Sequence, residues 1–519
     1  MRNLLMRVVV VCTAMPVLIN ADVVSKSYLT FRQRFEVNMP ERLAQFRYRV
    51  DARDGGINAG IQAVGLYAQT TNPAELAHYF LPNGKDYIMV GEDASNTAVD
   101  RTIDVNAFHL GILTAPLDGA QLAVGYKNLT YQSIVSLCPQ QTLAGVGISY
   151  QQRLPNHFWF DIAGPIEHIK NKTGLSEQIT DVGGEDTPTG YFDNAIAALG
   201  NQNTARNYGR IITRPMTKTG LAFIEARIGR DIRWDDTCFI GGFVGAVIPT
   251  AHKPKAIYLF EPVLGNNGHV GFMIGSYGSF EIMRDNANNT LTSNYNISSR
   301  YLLDNEQRRS FDLRGKPWSR YMVVWKNDNY GVAVPSTEWQ DHIDYLINYS
   351  TLCVRVKPYA AIDISVDLNY RRKDFTLDVG YDAYARKAED VFFTHAISSN
   401  IGLPALRWYL DANHVLATES KATVATELFK INPGYADQII SQTGQNTDST
   451  YLQITTEDLD PMSGAHPACL AYMVYGSMGY EWNKCKLPTA INAGISYEFS
   501  HDNTFVKRWL AWFKIIVSI

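Results

Sequence analysis

The sequence predicts an all-β fold: a transmembrane antiparallel up-and-down β-barrel of about 14–18 strands. Three observations lead to this fold class. An export signal opens the chain of 519 residues, apolar and polar residues alternate in many later segments, and the chain stops at Ile519 inside an apolar strand. Short helices are expected in the loops or at an internal constriction.

The N-terminus has the three parts of a secretory signal peptide. Arg2 and Arg7 precede an apolar stretch from Val8 to Ile19, and the small residue Ala21 follows. A basic start, a short apolar core and a small residue at the cleavage site are typical of exported proteins. We therefore predict that residues 1–21 form a signal peptide and that the mature chain is exported.

After the signal peptide, the sequence offers no candidate for a membrane-spanning helix. The long uncharged runs TCFIGGFVGAVIPTAH and PMSGAHPACLAYMVYGSMGY both contain proline, glycine or histidine. The first run is also shorter than the roughly 20 apolar residues that a spanning helix needs. An exported chain of this kind is either soluble or a β-barrel, because lipid tolerates only helices and closed barrels.

Composition indicates a globular chain without a nucleic-acid partner. Hydrophobic residues make up 46% of the chain, charged residues 19%, and the net charge is −4. Lys and Arg are scattered, whereas a nucleic-acid surface needs a clustered basic patch. The 29 Tyr, 22 Phe and 9 Trp residues suit β-strands and the two interfaces of a membrane.

Residues 361–386 form the clearest strand pair, because apolar and polar residues alternate on both sides of a charged turn at 371–374. A period of two puts the two kinds of residue on opposite faces. The predicted lipid-facing residues include Ile364, Val366, Leu368, Tyr370, Phe375, Leu377, Val379 and Tyr381. The predicted pore-lining residues are Asp363, Asp367, Asn369, Asp378 and Asp382.

The acidic face of this hairpin is the sharpest functional feature of the sequence. A four-residue turn would place Asp367 opposite Asp378, and Asp363 opposite Asp382. Like charges directly opposite each other are unfavourable, and burying them in a dry core would cost more. The face is therefore expected to be wet, either in a water-filled lumen or in plain solvent outside a soluble sheet. In a pore, these carboxylates would favour cations.

The same alternation recurs in INAGISYEFS, LAGVGISYQQ and HVGFMIGSYGSFEI, with Gly, Ser, Asn and Glu on the polar face. Other segments, NPAELAHYFL, YFDNAIAALG and TEWQDHIDYLINY after Ser336, are predicted as short helices because of their start signals. We divide the chain into a signal peptide (1–21), an N-terminal segment (22–54) and a barrel (55–519). Its loop insertions are expected at about 180–215, 330–350 and 403–446.

The last residues, WLAWFKIIVSI, keep Ala511, Phe513, Ile515, Val517 and Ile519 in one phase up to the chain end. Here the sequence resembles the outer-membrane β-barrel, porin-like superfamily of Gram-negative-type bacteria, whose last strand typically closes the barrel at the C-terminus. The final residue of that family is usually aromatic, whereas this chain ends in isoleucine. The resemblance implies an outer-membrane location, with membrane lipid and the outer-membrane assembly machinery as partners, and leaves a homo-oligomer open.

The sequence predicts a porin-like channel for passive diffusion of ions or small polar solutes. No cofactor, metal site or catalytic residue is expected, because HExxH, Walker and EF-hand patterns are missing and the glycine pattern AGVGISY lacks a dinucleotide loop's third glycine. We therefore expect that the protein is not an enzyme. The alternatives are a soluble exported all-β binding protein, and a barrel with an enzymatic or adhesive role.

Overall fold

The structure, a computed structural model, describes residue 31 and residues 59–81, 84–91, 101–104, 132–182, 192–200, 202–233, 237–315, 318–326, 343–397, 401–404, 451–482, 487–500 and 505–519. The predicted signal peptide, the N-terminal segment apart from Phe31, and nearly all of the predicted insertion at 403–446 lie outside the described residues.

The described chain consists mainly of strands with three short α-helices. In chain order the elements are β1 (Ala59–Thr70), α1 (Pro73–Phe80), β2 (Tyr87–Gly91), β3 (Arg101–Asp104), β4 (Gln132–Ser136), β5 (Gln140–Arg153), β6 (Phe158–Lys172), β7 (Ser176–Asp181), α2 (Ala195–Leu199), β8 (Met216–Leu221), β9 (Phe223–Arg233), β10 (Cys238–Pro249), β11 (Gly271–Arg284), β12 (Thr290–Leu302), β13 (Asn305–Ser310), β14 (Val323–Lys326), β15 (Ile343–Tyr345), α3 (Leu346–Ser350), β16 (Thr351–Lys357), β17 (Tyr359–Arg372), β18 (Phe375–Arg386), β19 (Asp390–Phe393), β20 (Ile401–Pro404), β21 (Tyr451–Gln453), β22 (Cys469–Trp482), β23 (Thr489–Ser500) and β24 (Arg508–Ser518).

Twelve antiparallel strands close into one barrel, which confirms the predicted fold class. Around the ring the order is β1, β24, β23, β22, β18, β17, β12, β11, β10, β9, β6 and β5, which pairs again with β1. The short strand β8 continues β9 after a break at Ala222, and both pair with β6. The number of strands is twelve and not 14–18, because long connections that could have supplied further strands fold separately at one end of the barrel.

The two ends of the barrel differ in their connections. Short turns at 154–157, 285–289 and 373–374 lie at one end, the short-turn end, and the long connections lie at the other. The first strand, β1, and the last strand, β24, are joined at the short-turn end, where the Ile519 amide donates a hydrogen bond to the Ala59 carbonyl at 2.8 Å. The predicted closing role of the last strand is confirmed, since β24 pairs with both β23 and β1.

The strands have an apolar outer face and a mixed inner face. Outward side chains such as Ile274, Val379 and Ile495 are 59–62% exposed, whereas most of their inward neighbours are buried. This arrangement follows from the period of two in the sequence. A closed barrel with such an outer face, short turns at one end and long loops at the other has the architecture of outer-membrane β-barrels.

The five long connections pack together over the other end of the barrel, and we call their described parts the cap. They span residues 71–139, 173–215, 250–270, 303–358 and 387–468. Each contributes to one buried apolar cluster, through Phe80, Leu199, Phe260, Trp318 and Val391, respectively. Three small sheets also belong to the cap: β3-β2-β4-β7, β13-β16-β19 and β15-β14-β20-β21.

The predicted loop helices are partly confirmed. Helix α1 begins at Pro73 as expected, and the Asn194 side chain caps α2 by accepting a hydrogen bond from the Ala197 amide at 2.8 Å. The third prediction needs a correction: residues 343–345 form a strand, and the helix covers only Leu346–Ser350. Ser336, the expected cap, lies outside the described residues. No helix among the described residues is long and apolar enough to span a membrane.

Candidate functional site: the barrel lumen

The structure places the predicted acidic residues on the inner face of the barrel. Asp363, Asp367, Asp378 and Asp382 are only 6%, 2%, 0% and 0% exposed, and Asn369 is half-buried. We call the four aspartates the acidic wall. The face that was expected to be wet is therefore buried in this structure, because twelve strands enclose a narrower lumen than about sixteen would.

The residues predicted to face lipid lie on the opposite, outer face of the same two strands. The exposed members of this set are Leu368, Phe375, Leu377, Val379 and Tyr381, which are 41–59% exposed. The partly exposed members are Ile364, Val366 and Tyr370. Their contact with lipid remains a prediction.

The pairing predicted for the acidic residues is wrong by two residues. The hairpin turns at Lys373 and Asp374 alone, and Lys373 has a positive φ of 53°. Asp378 therefore lies opposite Asn369, and Asp367 opposite Gly380. A two-residue turn lengthens both strands and shifts the register, so that each carboxylate faces a neutral partner.

Neutral donors satisfy two members of the acidic wall, Asp367 in part and Asp378 at both oxygens. The Asn369 amide donates to Asp378 Oδ1 at 2.5 Å, and the Ser477 hydroxyl donates to Asp378 Oδ2 at 2.9 Å. On the other side, the Asn294 amide donates to Asp367 Oδ1 at 2.6 Å. Such bonds make burial of a carboxylate tolerable. Sequence reasoning missed Asn294 and Ser477, although both occupy polar positions of alternating strands.

The acidic wall surrounds one aromatic side chain, Tyr475 on β22. Its ring covers Gly380, where an added Cβ would lie 2.1 Å from a ring atom. Its hydroxyl is hydrogen-bonded to Asp367, and the charges of Asp378 and Asp382 also act on it. The glycine on the polar face of β18 is therefore needed to make room for the ring.

A second part of the inner face is aromatic, and we call Trp159, Phe239, Phe243 and Tyr277 the aromatic wall. The rings of Trp159, Phe243 and Tyr277 also cover glycines on neighbouring strands. Trp159 Nε1 donates to the Tyr277 hydroxyl at 2.5 Å, and that hydroxyl donates to Asp231. Rings that lean over glycines pack closely against the barrel wall.

Strand register shows how the two walls are related. One row of paired inner-face residues runs around the barrel through Trp159, Gly229, Phe243, Gly275, Ser298 and Asp363. This row crosses six of the twelve strands and so spans five of the twelve steps between neighbouring strands. Trp159 therefore lies nearly across the lumen from Asp363, whereas Tyr277 on β11 is separated from the acidic wall by the single strand β12. The two walls line the same lumen, with β12 between their nearest strands.

Ion pairs also occupy the inner face of the barrel. Arg300 on β12 reaches across to Glu225 on β9, and Arg227 Nε lies 2.6 Å from Asp161 Oδ1. A further pair joins Arg508 Nε to Glu498 Oε2 at 2.7 Å. Such long side chains explain the low exposure of the inner face. One cap residue, Leu264, also packs with the apolar residues of the lumen, so the connection 250–270 enters the barrel.

A buried charge cluster connects several long connections of the cap, and we call it the junction cluster. Arg309 donates to Glu389 Oε2 at 2.5 Å, and the His466 amide donates to the same oxygen at 3.1 Å. Gln307 bridges Arg309 and His269, lying 2.8 Å from each. These residues come from three of the five long connections, so the cluster holds the cap together.

Neighbouring charges and burial together determine the protonation of the junction cluster. Burial alone would raise the pKa of Glu389, but the charges of Arg309, His466 and Arg386 hold that pKa below its usual range. Burial lowers the pKa of His269 from 6.5 to about 4, although a hydrogen bond to the Leu303 carbonyl opposes this shift. Glu389 is therefore ionised and His269 neutral near pH 7.

Comparisons with known proteins give only weak likenesses. No protein-family model matches the chain, and no curated protein matches it. Among solved structures, an outer membrane channel from Pseudomonas putida F1 is 7% identical, with a TM-score of 0.36, and the match covers 91% of this chain and 99% of that one. A FadL homologue from Pseudomonas aeruginosa is 8% identical, with a TM-score of 0.28 and coverage of 89% and 90%.

The translocator domain of the autotransporter NalP from Neisseria meningitidis is likewise 8% identical, with a TM-score of 0.28 and coverage of 93% and 95%. Likenesses at these TM-scores carry no argument about function. The function is therefore inferred from the closed barrel and the residues of its lumen.

Proposed function

We propose that the protein is an outer-membrane, porin-like channel for passive diffusion of ions or small polar solutes. One observation carries the proposal: charged and polar residues occupy the inner face of a closed barrel whose outer face is apolar. A barrel in lipid needs an apolar exterior, and a channel for polar solutes needs a polar interior. The acidic wall, with residues on two adjacent strands, supplies part of that polarity.

The proposed channel is narrow and closed at rest. The acidic wall is almost entirely buried, and the cap covers the end with the long connections. Passage of a solute therefore requires the cap to loosen or the lumen side chains to move. We expect small and intermittent conductance from the intact protein, and larger conductance when the cap is weakened.

The alternative of a soluble exported binding protein is less well supported. Large apolar side chains such as Phe272, Ile274, Val379, Met478 and Ile495 are 57–62% exposed on the outer face. A soluble protein rarely exposes so much contiguous apolar surface, whereas lipid would cover it.

Two measurements test the proposal. Cell fractionation should recover the full-length protein with outer membranes, and the protein should migrate differently in gels before and after heating. The purified protein should then produce discrete conductance steps in planar lipid bilayers bathed in potassium chloride. Recovery in the soluble fraction without detergent would contradict the proposal, and so would a correctly folded protein that never conducts.

A further inference from the structure

We infer that the lumen takes up organic cations, namely ammonium compounds with an apolar or aromatic body, in preference to metal cations and to neutral solutes. The inference rests on the proposed channel function and names its substrate class. Its basis is that the acidic wall and the aromatic wall share one lumen. A solute with a positive charge at one end and an apolar body matches both walls at once.

The two walls are connected by a row of paired residues. Tyr277 of the aromatic wall pairs with Asn296, which pairs with Ser365, which pairs with Asp382 of the acidic wall. All four residues lie on the inner face. A solute at this height of the barrel therefore meets a ring on one side and carboxylates a few strands away.

Polar atoms without partners lie beside the acidic wall. The hydroxyls of Thr376 and Ser496 have no hydrogen-bond partner among the described residues, and each residue is only 3% exposed. Ser496 pairs in register with Tyr475, and Thr376 precedes Asp378 by two residues on the same face of β18. A buried hydroxyl without a partner is costly, so these atoms are available to accept hydrogen bonds from an ammonium group.

The buried Oδ1 atom of Asn296 is a third such acceptor, because it too has no hydrogen-bond donor among the described residues. Asn296 stands between the two walls in the row that joins Tyr277 to Asp382. One unsatisfied acceptor therefore lies between the acidic wall and the aromatic wall, on the path that a solute touching both walls would occupy.

The chain already holds one of its own cations in the arrangement that we propose for the solute. The guanidinium carbon of Arg227 lies 5.6 Å from the ring centroid of Phe243, while Arg227 Nε pairs with Asp161. A cation over an aromatic face with a carboxylate beside it is favourable, and more so when water is excluded. The aromatic wall is therefore suited to cations and not only to neutral apolar groups.

The spacing of the acidic wall favours a bulky cation over a metal ion. Gly380 separates Asp378 from Asp382 on β18, and Ser365 separates Asp363 from Asp367 on β17. Among the described residues, no group of three or more His, Cys, Asp or Glu side chains is arranged to hold a metal ion. The acidic wall thus offers charge distributed along two strands, which suits a large, weakly hydrated cation.

The test uses the purified full-length protein in planar bilayers, with phenethylammonium as the probe and 2-phenylethanol as its neutral analogue. Phenethylammonium added to potassium chloride should reduce the potassium current reversibly at concentrations at which 2-phenylethanol has no effect. Asp382→Asn and Phe243→Leu should each weaken this block by about tenfold, because each removes one of the two matching groups. Met273→Leu, an apolar change on the same inner face, should leave the block unchanged.

The outcomes separate this inference from the proposed function. Absence of potassium current in the wild type would contradict the channel itself. A normal potassium current with equal effects of the two probes would overturn the organic-cation inference alone. Loss of block in Asp382→Asn but not in Phe243→Leu would also overturn it, because the aromatic wall would then take no part. Heat-modifiable migration of each variant shows that it has folded, and Phe243→Leu decides the matter if Asp382→Asn does not fold.

Discussion

Asn369 and Asp378 form a direct hydrogen bond across the β17–β18 pair, from Asn369 Nδ2 to Asp378 Oδ1 at 2.5 Å. This bond lies on the inner face, while Leu368 and Val379, a register pair of the same two strands, lie on the outer face. Neighbouring positions of one hairpin thus belong to two different environments. The effect of a substitution in this hairpin should therefore depend on which face the residue occupies.

Two arginine substitutions should distinguish the two faces. Leu368→Arg should impair assembly in the membrane, because a charge on the lipid face near mid-membrane costs about 2–4 kcal/mol. Asn369→Arg should be tolerated, because its guanidinium can replace the amide as a donor to Asp378. The measurement is the folded fraction in outer-membrane extracts, judged by heat-modifiable migration. Equal damage from both substitutions would argue against the assignment of the two faces.

Two glycines of adjacent strands should respond differently to substitution. Gly380→Ala should lower the free energy of unfolding by about 1–3 kcal/mol, since the new Cβ would overlap the Tyr475 ring. Gly476→Ala is the matched control, because its nearest contact would be the Asp378 carbonyl at 3.7 Å. Urea unfolding in detergent micelles would measure both. The double change Gly380→Ala with Tyr475→Ala should recover part of the loss, and an additive effect would contradict the proposed overlap.

Neutralising the acidic wall should change ion preference. With Asp363, Asp367, Asp378 and Asp382 replaced by Asn, the reversal potential in a potassium chloride gradient should move toward zero, because the carboxylates raise the local cation concentration. The wild type should show cation preference that weakens at high salt, since opening of the channel exposes these carboxylates and exposed charges are screened over about 10 Å at 0.1 M. Arg227 is paired with Asp161 and does not cancel the acidic wall, whereas the charge of Lys514 acts on Asp378 and offsets part of that wall. An unchanged reversal potential would remove this wall from the conducting path.

Breaking the junction cluster should loosen the cap. Glu389→Gln removes the charge that Arg309 contacts and leaves a buried guanidinium without its counter-ion, a change that typically costs about 3–5 kcal/mol. The cap should then become more sensitive to proteases, and the channel should open more often in bilayers. Asp304→Asn is the control, because Asp304 and Arg355 form an exposed ion pair in the cap. Exposed pairs contribute about 0–1 kcal/mol. A cap that resists proteases equally well in both variants would refute a holding role for Glu389.

Acid should loosen the cap in the wild type as well. The pKa of His269 in the folded protein, about 4, lies below its ordinary 6.5, so the unfolded cap binds a proton first as the pH falls. The contribution of His269 to cap stability is therefore complete above about pH 6.5 and is lost toward pH 4. The pKa of Glu389 is also held below its ordinary 4.5, so its contribution is lost at still lower pH. Protonation of His269 and protonation of Glu389 therefore both destabilise the cap as the pH falls.

Hydrogen exchange of the cap amides, measured at several pH values, checks this prediction. Exchange corrected for its intrinsic pH dependence should increase between pH 6.5 and pH 4 in the wild type. His269→Gln should flatten that part of the profile, because glutamine does not titrate and can still hydrogen-bond Gln307. A profile that is the same in both proteins would show that His269 does not control the cap.

The presence of each strand, and the face of the sheet on which each of its side chains lies, could be predicted from residues close together in sequence. The alternation around Ile364 and Leu377 assigns each side chain to a face, whatever the partner strand is. The register could not be predicted in the same way. The register depends on the length of the turn. A four-residue turn would pair Asp378 with Asp367, whereas the observed two-residue turn at Lys373 and Asp374 pairs Asp378 with Asn369.

Pattern alone thus determined an all-β chain with one apolar and one polar face and acidic residues grouped on one hairpin, and the resemblance of the last strand to outer-membrane barrels implied that this strand closes the ring. The tertiary structure decided the count of twelve strands, the meeting of the acidic and aromatic walls in one lumen, and the junction cluster of Arg309, Glu389 and His269. The physical reason is the distance along the sequence over which each feature is determined. Alternation is set by backbone geometry over a few residues, whereas strand count and lumen contacts depend on how segments hundreds of residues apart pack together.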